Sequence, residues 1–140
     1  MINFLKNLVI FSLIIFVCCA FIGRKKEKSF IMFSATPITE GAELFPQTDF
    51  QLGQNIYYMI YSPKGFEDDL LRIQVIKKND KSAHEGYNIR YAQDVEVPLG
   101  GKIYTDKLRL YEKGIYVMQA TEFSNDTHSL AYGVFGIKDE

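Results

Sequence analysis

Tryptophan is absent from the 140-residue sequence, and its two cysteines, Cys18 and Cys19, are neighbours close to the amino terminus. A domain formed by the residues after them therefore contains no disulfide, no thiol nucleophile and no thiolate metal ligand. Histidine is scarce too, since the sequence has His84 and His128 alone, each in a polar stretch. A solvated loop histidine is far commoner than an isolated metal ligand or general base, so neither residue predicts a site.

An excess of charge of one sign is also lacking. The 16 Lys and Arg residues and 17 Asp and Glu residues are interspersed, and the formal net charge is −1. Binding to nucleic acid needs a basic face, so we expect no nucleic-acid partner.

Sequence motifs of catalysis are missing as well: there is no G-x-S-x-G, no phosphate-binding loop and no H-E-x-x-H. The acidic residues that could supply oxygen ligands or a catalytic pair are Glu67, Asp68, Asp69, Asp80 and Glu85. Their spacing matches no calcium-binding loop, and solvated surface charge is the favoured interpretation. We therefore expect no enzyme, no cofactor and no metal; an enzyme using Asp68, Asp69 and Glu85 is the least favoured alternative.

One long apolar run stands out against these absences. Asn7–Gly23 carries no charge, follows Lys6, and has Leu8, Ile15 and Ile22 at its start, middle and end. A helix rises about 1.5 Å per residue and a bilayer core is about 30 Å thick, so roughly 17 residues is the short end for a spanning helix. The apolar run is also longer than a signal-peptide core, which has roughly 7–15 residues. We expect residues 1–23 to form a membrane-anchoring or signal segment, with the membrane as a partner.

Three interpretations of this segment remain open. An uncleaved anchor is favoured, with a helical conformation in the bilayer. The segment also resembles a bacterial lipoprotein signal, in which a cysteine after the apolar core is lipid-modified, and Cys18 and Cys19 lie where that cysteine would be. A cleaved secretory signal is the third, although Ala20 stands among large residues that suit cleavage poorly.

The charges after the segment conflict with export. Arg24, Lys25, Lys26 and Lys28, against Glu27, would keep the following domain in the cytoplasm by the positive-inside rule. An amino-terminal signal followed by one β-rich domain is, however, the usual plan of an exported protein. We favour a domain outside the cytoplasm, in a bacterial cell envelope.

The remaining residues predict a single all-β domain. We assign residues 24–48 to a basic tether, a first strand at Phe30–Phe33 and a connecting loop, and residues 49–140 to a β-sandwich. Apolar and polar residues alternate with turn signals about 8–12 residues apart, which is typical of an antiparallel sandwich of about seven strands. The strand-like segments are Gln54–Ser62, Leu70–Lys78, Tyr87–Leu99, Tyr104–Leu110, Gly114–Phe123 and Ser129–Lys138.

One segment resembles a known superfamily. Leu110–Val117 (LYEKGIYV) is similar to the corner of an immunoglobulin-like or fibronectin-type-III-like sandwich, where a strand ends, a glycine turns the chain and a tyrosine opens the next strand. The resemblance implies that the Tyr116 ring packs in the core and its hydroxyl bonds to backbone upstream. It also implies a special backbone conformation at Gly114 and packing of Leu110 beneath the corner.

Tyr57, Met59 and Tyr61 share one face of the strand Gln54–Ser62, which is apolar on both faces. We favour a covered face; if it is open, it forms an aromatic platform for a protein or sugar.

We expect a membrane-tethered, non-enzymatic interaction or structural domain, binding an envelope protein through edge strands or loops. The alternative is a carbohydrate- or small-ligand-binding lipoprotein that uses the tyrosine face.

Overall fold

The computed structural model describes residues 26–78, 87–125 and 128–139, and these form eight strands. Their bounds are β1 Phe30–Ser34, β2 Asp49–Gln51, β3 Ile56–Tyr61, β4 Leu70–Lys78, β5 Tyr87–Glu96, β6 Ile103–Leu108, β7 Gly114–Glu122 and β8 Ala131–Lys138. A short 3₁₀ turn, Phe123–Asn125, follows β7. The apolar segment Asn7–Gly23 lies outside the described residues, and among those described no helix is long and apolar enough to cross a membrane.

The strands form two sheets. One has three strands in the order β1-β3-β6, and the other has five in the order β2-β8-β7-β4-β5. In an immunoglobulin-like sandwich, strands A, B and E lie in one sheet and strands C, F and G in the other. β1, β3 and β6 take the first set of positions, β4, β7 and β8 the second, and β5 adds the further strand of variable-type domains. The resemblance to this superfamily therefore extends from the corner to the whole sandwich.

The structure adds one strand to the sequence prediction of about seven antiparallel strands. The short β2 is an eighth strand and pairs in parallel with β8, with Phe50 opposite Ile137. Phe50 is its one buried residue, and three residues are too few for alternation to be recognised in the sequence. β1, which we had assigned with the tether, pairs with β3 along its whole length, so it is an edge strand of the three-stranded sheet.

The core lies between the sheets and is built from the inward residues of each alternating strand. Tyr58 of β3, Ile73 of β4 and Tyr116 of β7 are completely buried. The Tyr116 ring stacks on Phe135 of β8 at 5.6 Å between centroids. The Phe33 ring of β1 lies 4.8 Å from the Phe135 ring, measured between centroids. Aromatic contacts therefore join the two sheets.

The tyrosine corner links β6 to β7. The Tyr116 hydroxyl donates a hydrogen bond of 2.6 Å to the backbone carbonyl of Glu112, four residues upstream. Gly114 has a φ of 153°, a backbone conformation that residues with a Cβ rarely adopt. Leu110 is half-buried and packs against the core.

Candidate functional site

The outer face of the three-stranded sheet carries Tyr57, Met59 and Tyr61. Alternation along β3 turns Ile56, Tyr58 and Ile60 into the core, where each is completely buried. Met59 is also covered, with 7% of its surface exposed, whereas Tyr57 and Tyr61 are half-buried. The face that we expected to be covered is therefore covered at its centre and partly open at both ends.

The loop between β1 and β2 lies beside the centre of this face. Residues 38–42 and Leu44 line a groove of about 490 Å³ together with Met59, Ile103 and Thr105. Leu44 and Ile103 remain 45% and 55% exposed, so the groove opens to solvent between two aliphatic side chains.

One end of this face is apolar, and it lies next to the first of the described residues. Phe30 lies opposite Tyr61, and Tyr61 lies opposite Ile103, so the three form one row across β1, β3 and β6. The Phe30 and Tyr61 rings are 5.2 Å apart. The Tyr61 hydroxyl donates to the Glu27 carboxylate at 3.3 Å, which places the chain just before β1 beside this row.

The opposite end of the face is polar. Tyr57 lines a shallow cleft of about 290 Å³ with Ile38, Asp106 and Lys107, and Pro37 and Thr105 complete it. Lys107 lies opposite Tyr57 on this outer face, whereas Asp106 lies opposite the inward Tyr58. A half-buried aromatic ring beside an ammonium group is a combination that suits a sugar or another small polar ligand.

The outer face of the five-stranded sheet carries an apolar row that is exposed at both ends and half-buried in the middle. Ile89 pairs with Ile76, Ile76 with Val117, and Val117 with Val134, so four β-branched residues stand side by side on β5, β4, β7 and β8. Ile89 is 54% exposed and Val134 is 45% exposed. Strands in a sheet are about 4.8 Å apart, so the row is about 14 Å long. We call these four residues the apolar row.

Neutral residues flank the apolar row. Gln74 of β4 and Gln119 of β7 form the neighbouring row with Tyr132 of β8, which is 71% exposed. Sequence reasoning missed this surface, because it depends on the register of four strands and alternation within each strand does not reveal that register.

The open edge of the five-stranded sheet is charged. Arg72 of β4 donates two hydrogen bonds to Asp94 of the edge strand β5, at 2.9 and 3.1 Å, and these bonds lower the pKa of the Asp94 carboxyl. Arg90 of β5 lies 3.1 Å from Glu112. The β4–β5 ladder is also interrupted by a bulge between Val75 and Ile76. Charges and bulges on an edge strand oppose strand addition, so β5 is poorly suited to the edge binding that we had expected.

The described members of the acidic set, Glu67, Asp68 and Asp69, do not form a metal-binding group. The Asp68 carboxylate accepts a hydrogen bond from the Ser124 backbone N–H, and so holds the 3₁₀ turn. Asp80, Glu85 and His84 lie outside the described residues. Within the described ranges, no three His, Cys, Asp or Glu residues are close enough to hold a metal ion.

Sequence reasoning also missed Glu122, the buried acidic residue at the end of β7. Its side chain is 7% exposed and accepts a 2.8 Å hydrogen bond from the backbone N–H of Glu67, across 55 residues of sequence. Glu122 lines a cleft of about 280 Å³ with His128 and Lys64. The available signal was its inward position two residues after Ala120 in an alternating strand.

A cluster of three tyrosines, Tyr58, Tyr91 and Tyr104, lies around Asp106. Burial, and then the Asp106 charge, raises the pKa of the Tyr104 phenol to about 12. The same causes raise the pKa of Tyr91, and they raise that of the fully buried Tyr58 much further. The Tyr104 hydroxyl donates to Asp106 at 3.1 Å, whereas the Tyr58 hydroxyl has no hydrogen-bond partner within the described part of the chain.

Comparison with known proteins gives likeness in fold alone. No protein-family model and no curated protein matches the chain. Among solved structures, the chain is similar to a superoxide reductase (neelaredoxin) from Ignicoccus hospitalis, with a TM-score of 0.46, 12% identity and 81% of each chain covered.

It is also similar to an immunoglobulin-like protein from Pseudomonas aeruginosa, with a TM-score of 0.43 and 14% identity over 79% of this chain and 90% of the other. A third likeness is to a β-glucosidase from Kluyveromyces marxianus, with a TM-score of 0.40 and 14% identity over 80% of this chain and 14% of the enzyme. Such distant likenesses carry no argument about function, and the immunoglobulin-like architecture of the described residues rests on their sheet order and tyrosine corner.

Proposed function

We propose that this chain is a membrane-tethered, non-enzymatic domain of the bacterial cell envelope that binds a partner protein through the apolar row. The uncharged segment Asn7–Gly23 supplies the tether, whether it is retained as a helix or lipid-modified at Cys18 or Cys19. The immunoglobulin-like domain follows it and presents the binding surface outside the cytoplasm.

The observation that carries this proposal is the line of four β-branched residues, of which the two at the ends are exposed and the two in the middle are half-buried. An isolated exposed aliphatic residue needs no explanation, but a contiguous apolar surface on a flat sheet face is typical of an interaction site. Covering Val134 and Ile89 would remove about half of each side chain's surface from water. The flanking Gln74 and Gln119 can hydrogen-bond across an interface without the desolvation penalty of a charge.

A photo-crosslinking amino acid at single positions of the full chain, in its native envelope, tests the proposal. We expect Val134 and Val117 positions to give one discrete cross-linked product. Tyr111 is the matched control, because it is a large apolar residue, 73% exposed, on the loop between β6 and β7. A product of twice the chain's mass would identify the partner protein as a second copy.

Equal labelling at Tyr111 and Val134, or labelling at neither row position, would contradict the proposal. Replacement of Val117 by Asp should abolish the product, because it would place a charge in the centre of the contact.

A second function is favoured by the cleft at Tyr57. A carbohydrate or small polar ligand could stack on the Tyr57 ring and hydrogen-bond to Lys107, which lines the same cleft. Glycan-array binding that is lost in Tyr57→Ala but kept in Tyr132→Ala would support this function. Binding unaffected by Tyr57→Ala would exclude it.

A further inference from the structure

The sandwich has two outer faces, and Glu27, near the start of the described residues, lies beside one of them. The described chain begins at residue 26, and Glu27 accepts the hydrogen bond from Tyr61 on the outer face of the three-stranded sheet. The apolar segment ends at Gly23, seven residues before Phe30. Seven extended residues span at most about 25 Å, so an apolar segment held in a bilayer keeps Phe30 within that distance of the lipid surface.

The surface nearest the tether is apolar. Phe30, Tyr61 and Ile103 form one cross-strand row, and Leu44 lies across the groove from Ile103. We call these four residues the terminal patch. Three of them, Phe30, Leu44 and Ile103, are 43%, 45% and 55% exposed.

We infer that the terminal patch lies on the lipid surface of the membrane that holds the tether, so that the sandwich has a fixed orientation. This inference rests on the tether of the proposed function and adds the lipid surface as the partner of the three-stranded sheet. Tyrosine side chains such as Tyr61 favour the head-group region, where the ring contacts apolar groups and the hydroxyl stays near water, and Phe30 adds an apolar ring beside it.

The basic residues between the apolar segment and β1 support the same orientation. Arg24, Lys25, Lys26 and Lys28 lie between the apolar segment and β1, where they attract anionic lipid head groups. The residues after Lys28 are acidic, with 11 Lys and Arg against 16 Asp and Glu, and Glu40 lines the groove beside Leu44. The terminal patch therefore contacts lipid through its apolar side chains and not through attraction between opposite charges.

Tethering makes a small patch sufficient. Four side chains bind a bilayer weakly when the protein is free, but a short linker holds them at an effective concentration on the order of millimolar. The opposite outer face, with the apolar row, then points away from the lipid and stays accessible to a partner.

The absence of tryptophan allows a direct test, because each introduced tryptophan is a unique fluorescent reporter. The full chain is reconstituted into vesicles of phosphatidylcholine and phosphatidylglycerol, with or without brominated acyl chains. Ile103→Trp reports on the terminal patch, and Phe30→Trp is a second reporter there. Ile115→Trp is the matched control, since Ile115 is the second residue of β7, on the other outer face, and is 52% exposed, against 55% for Ile103.

We expect brominated lipid to quench Ile103→Trp about threefold more than Ile115→Trp, because interfacial side chains lie about 5–10 Å into the head-group and acyl boundary. Phe16→Trp, in the apolar segment, separates the two proposals. Quenching of Phe16→Trp with equal or no quenching at the two isoleucine positions would overturn the fixed orientation and leave the tether intact.

No quenching of Phe16→Trp would overturn the tether and the orientation together. Blue-shifted emission from both patch reporters without quenching would mean that protein, such as a second copy, covers the patch instead of lipid, and would also overturn the inference.

Discussion

Tyr58 and Tyr116 are both completely buried in the same core, but their hydroxyl groups have different surroundings. The Tyr116 hydroxyl donates to the Glu112 carbonyl, whereas the Tyr58 hydroxyl has no partner within the described residues. A buried hydrogen bond contributes to stability, and a buried polar group without one lowers it. The hydroxyl group therefore stabilises the fold at Tyr116 and destabilises it at Tyr58.

Replacement of each tyrosine by phenylalanine tests this difference. Tyr116→Phe should lower the free energy of unfolding by about 1 kcal/mol, because the corner hydrogen bond is lost and the ring is kept. Tyr58→Phe should leave stability unchanged or raise it by up to about 1 kcal/mol. Chemical denaturation of both variants and of Tyr132→Phe, an exposed control, gives the comparison. A destabilisation by Tyr58→Phe as large as that by Tyr116→Phe would contradict this account of the core.

The tyrosines around Asp106 predict a loss of stability at alkaline pH. The pKa of Tyr104 is raised from 10.0 to about 12 in the fold. Between these values the unfolded chain releases the phenol proton and the folded chain keeps it, so stability is full below about pH 10 and falls as the pH rises to about 12. The midpoint of chemical denaturation should decline across this pH range, and it should decline less steeply in the Tyr104→Phe variant. An identical slope in wild type and variant would exclude Tyr104 as a cause.

At the scale of elements, the alternation within strands predicted most of the sandwich. β4 and β7 follow the predicted segments closely, because their buried residues recur at every second position. β2 could not be predicted, since a three-residue strand has no period to recognise. The apolar row could not be predicted either, because it arises from the pairing of four strands that are distant in sequence.

Close packing of β1 on β8 depends on a glycine. A Cβ added to Gly133 would lie 2.7 Å from the Phe33 ring, whereas one added to Gly136 would lie 3.0 Å from the carboxylate of Asp49, the end of a movable side chain. Gly133→Ala should therefore destabilise the domain by about 1–3 kcal/mol, and Gly136→Ala by less. Thermal unfolding of the two variants measures the difference. Equal effects would mean that Phe33 can move away without loss of packing.

At the scale of the whole molecule, the two outer faces of the sandwich suit two different contacts. The face of the three-stranded sheet has its exposed apolar residues at the end next to the tether, and the five-stranded sheet has them in a line across its centre. Individual strand patterns predicted that Tyr57, Met59 and Tyr61 share a face. Which parts of that face are covered depends on the loop after β1, whose path the sequence does not reveal.

The most direct test of the account is extraction of the full chain from membranes with alkaline carbonate, which releases peripheral proteins and leaves anchored ones. A tether at Asn7–Gly23 predicts that the chain stays in the membrane pellet, and that Ile15→Lys, a charge in the middle of the apolar segment, moves it to the supernatant. Complete release of the wild-type chain by the wash would contradict the membrane tether on which the proposed function depends.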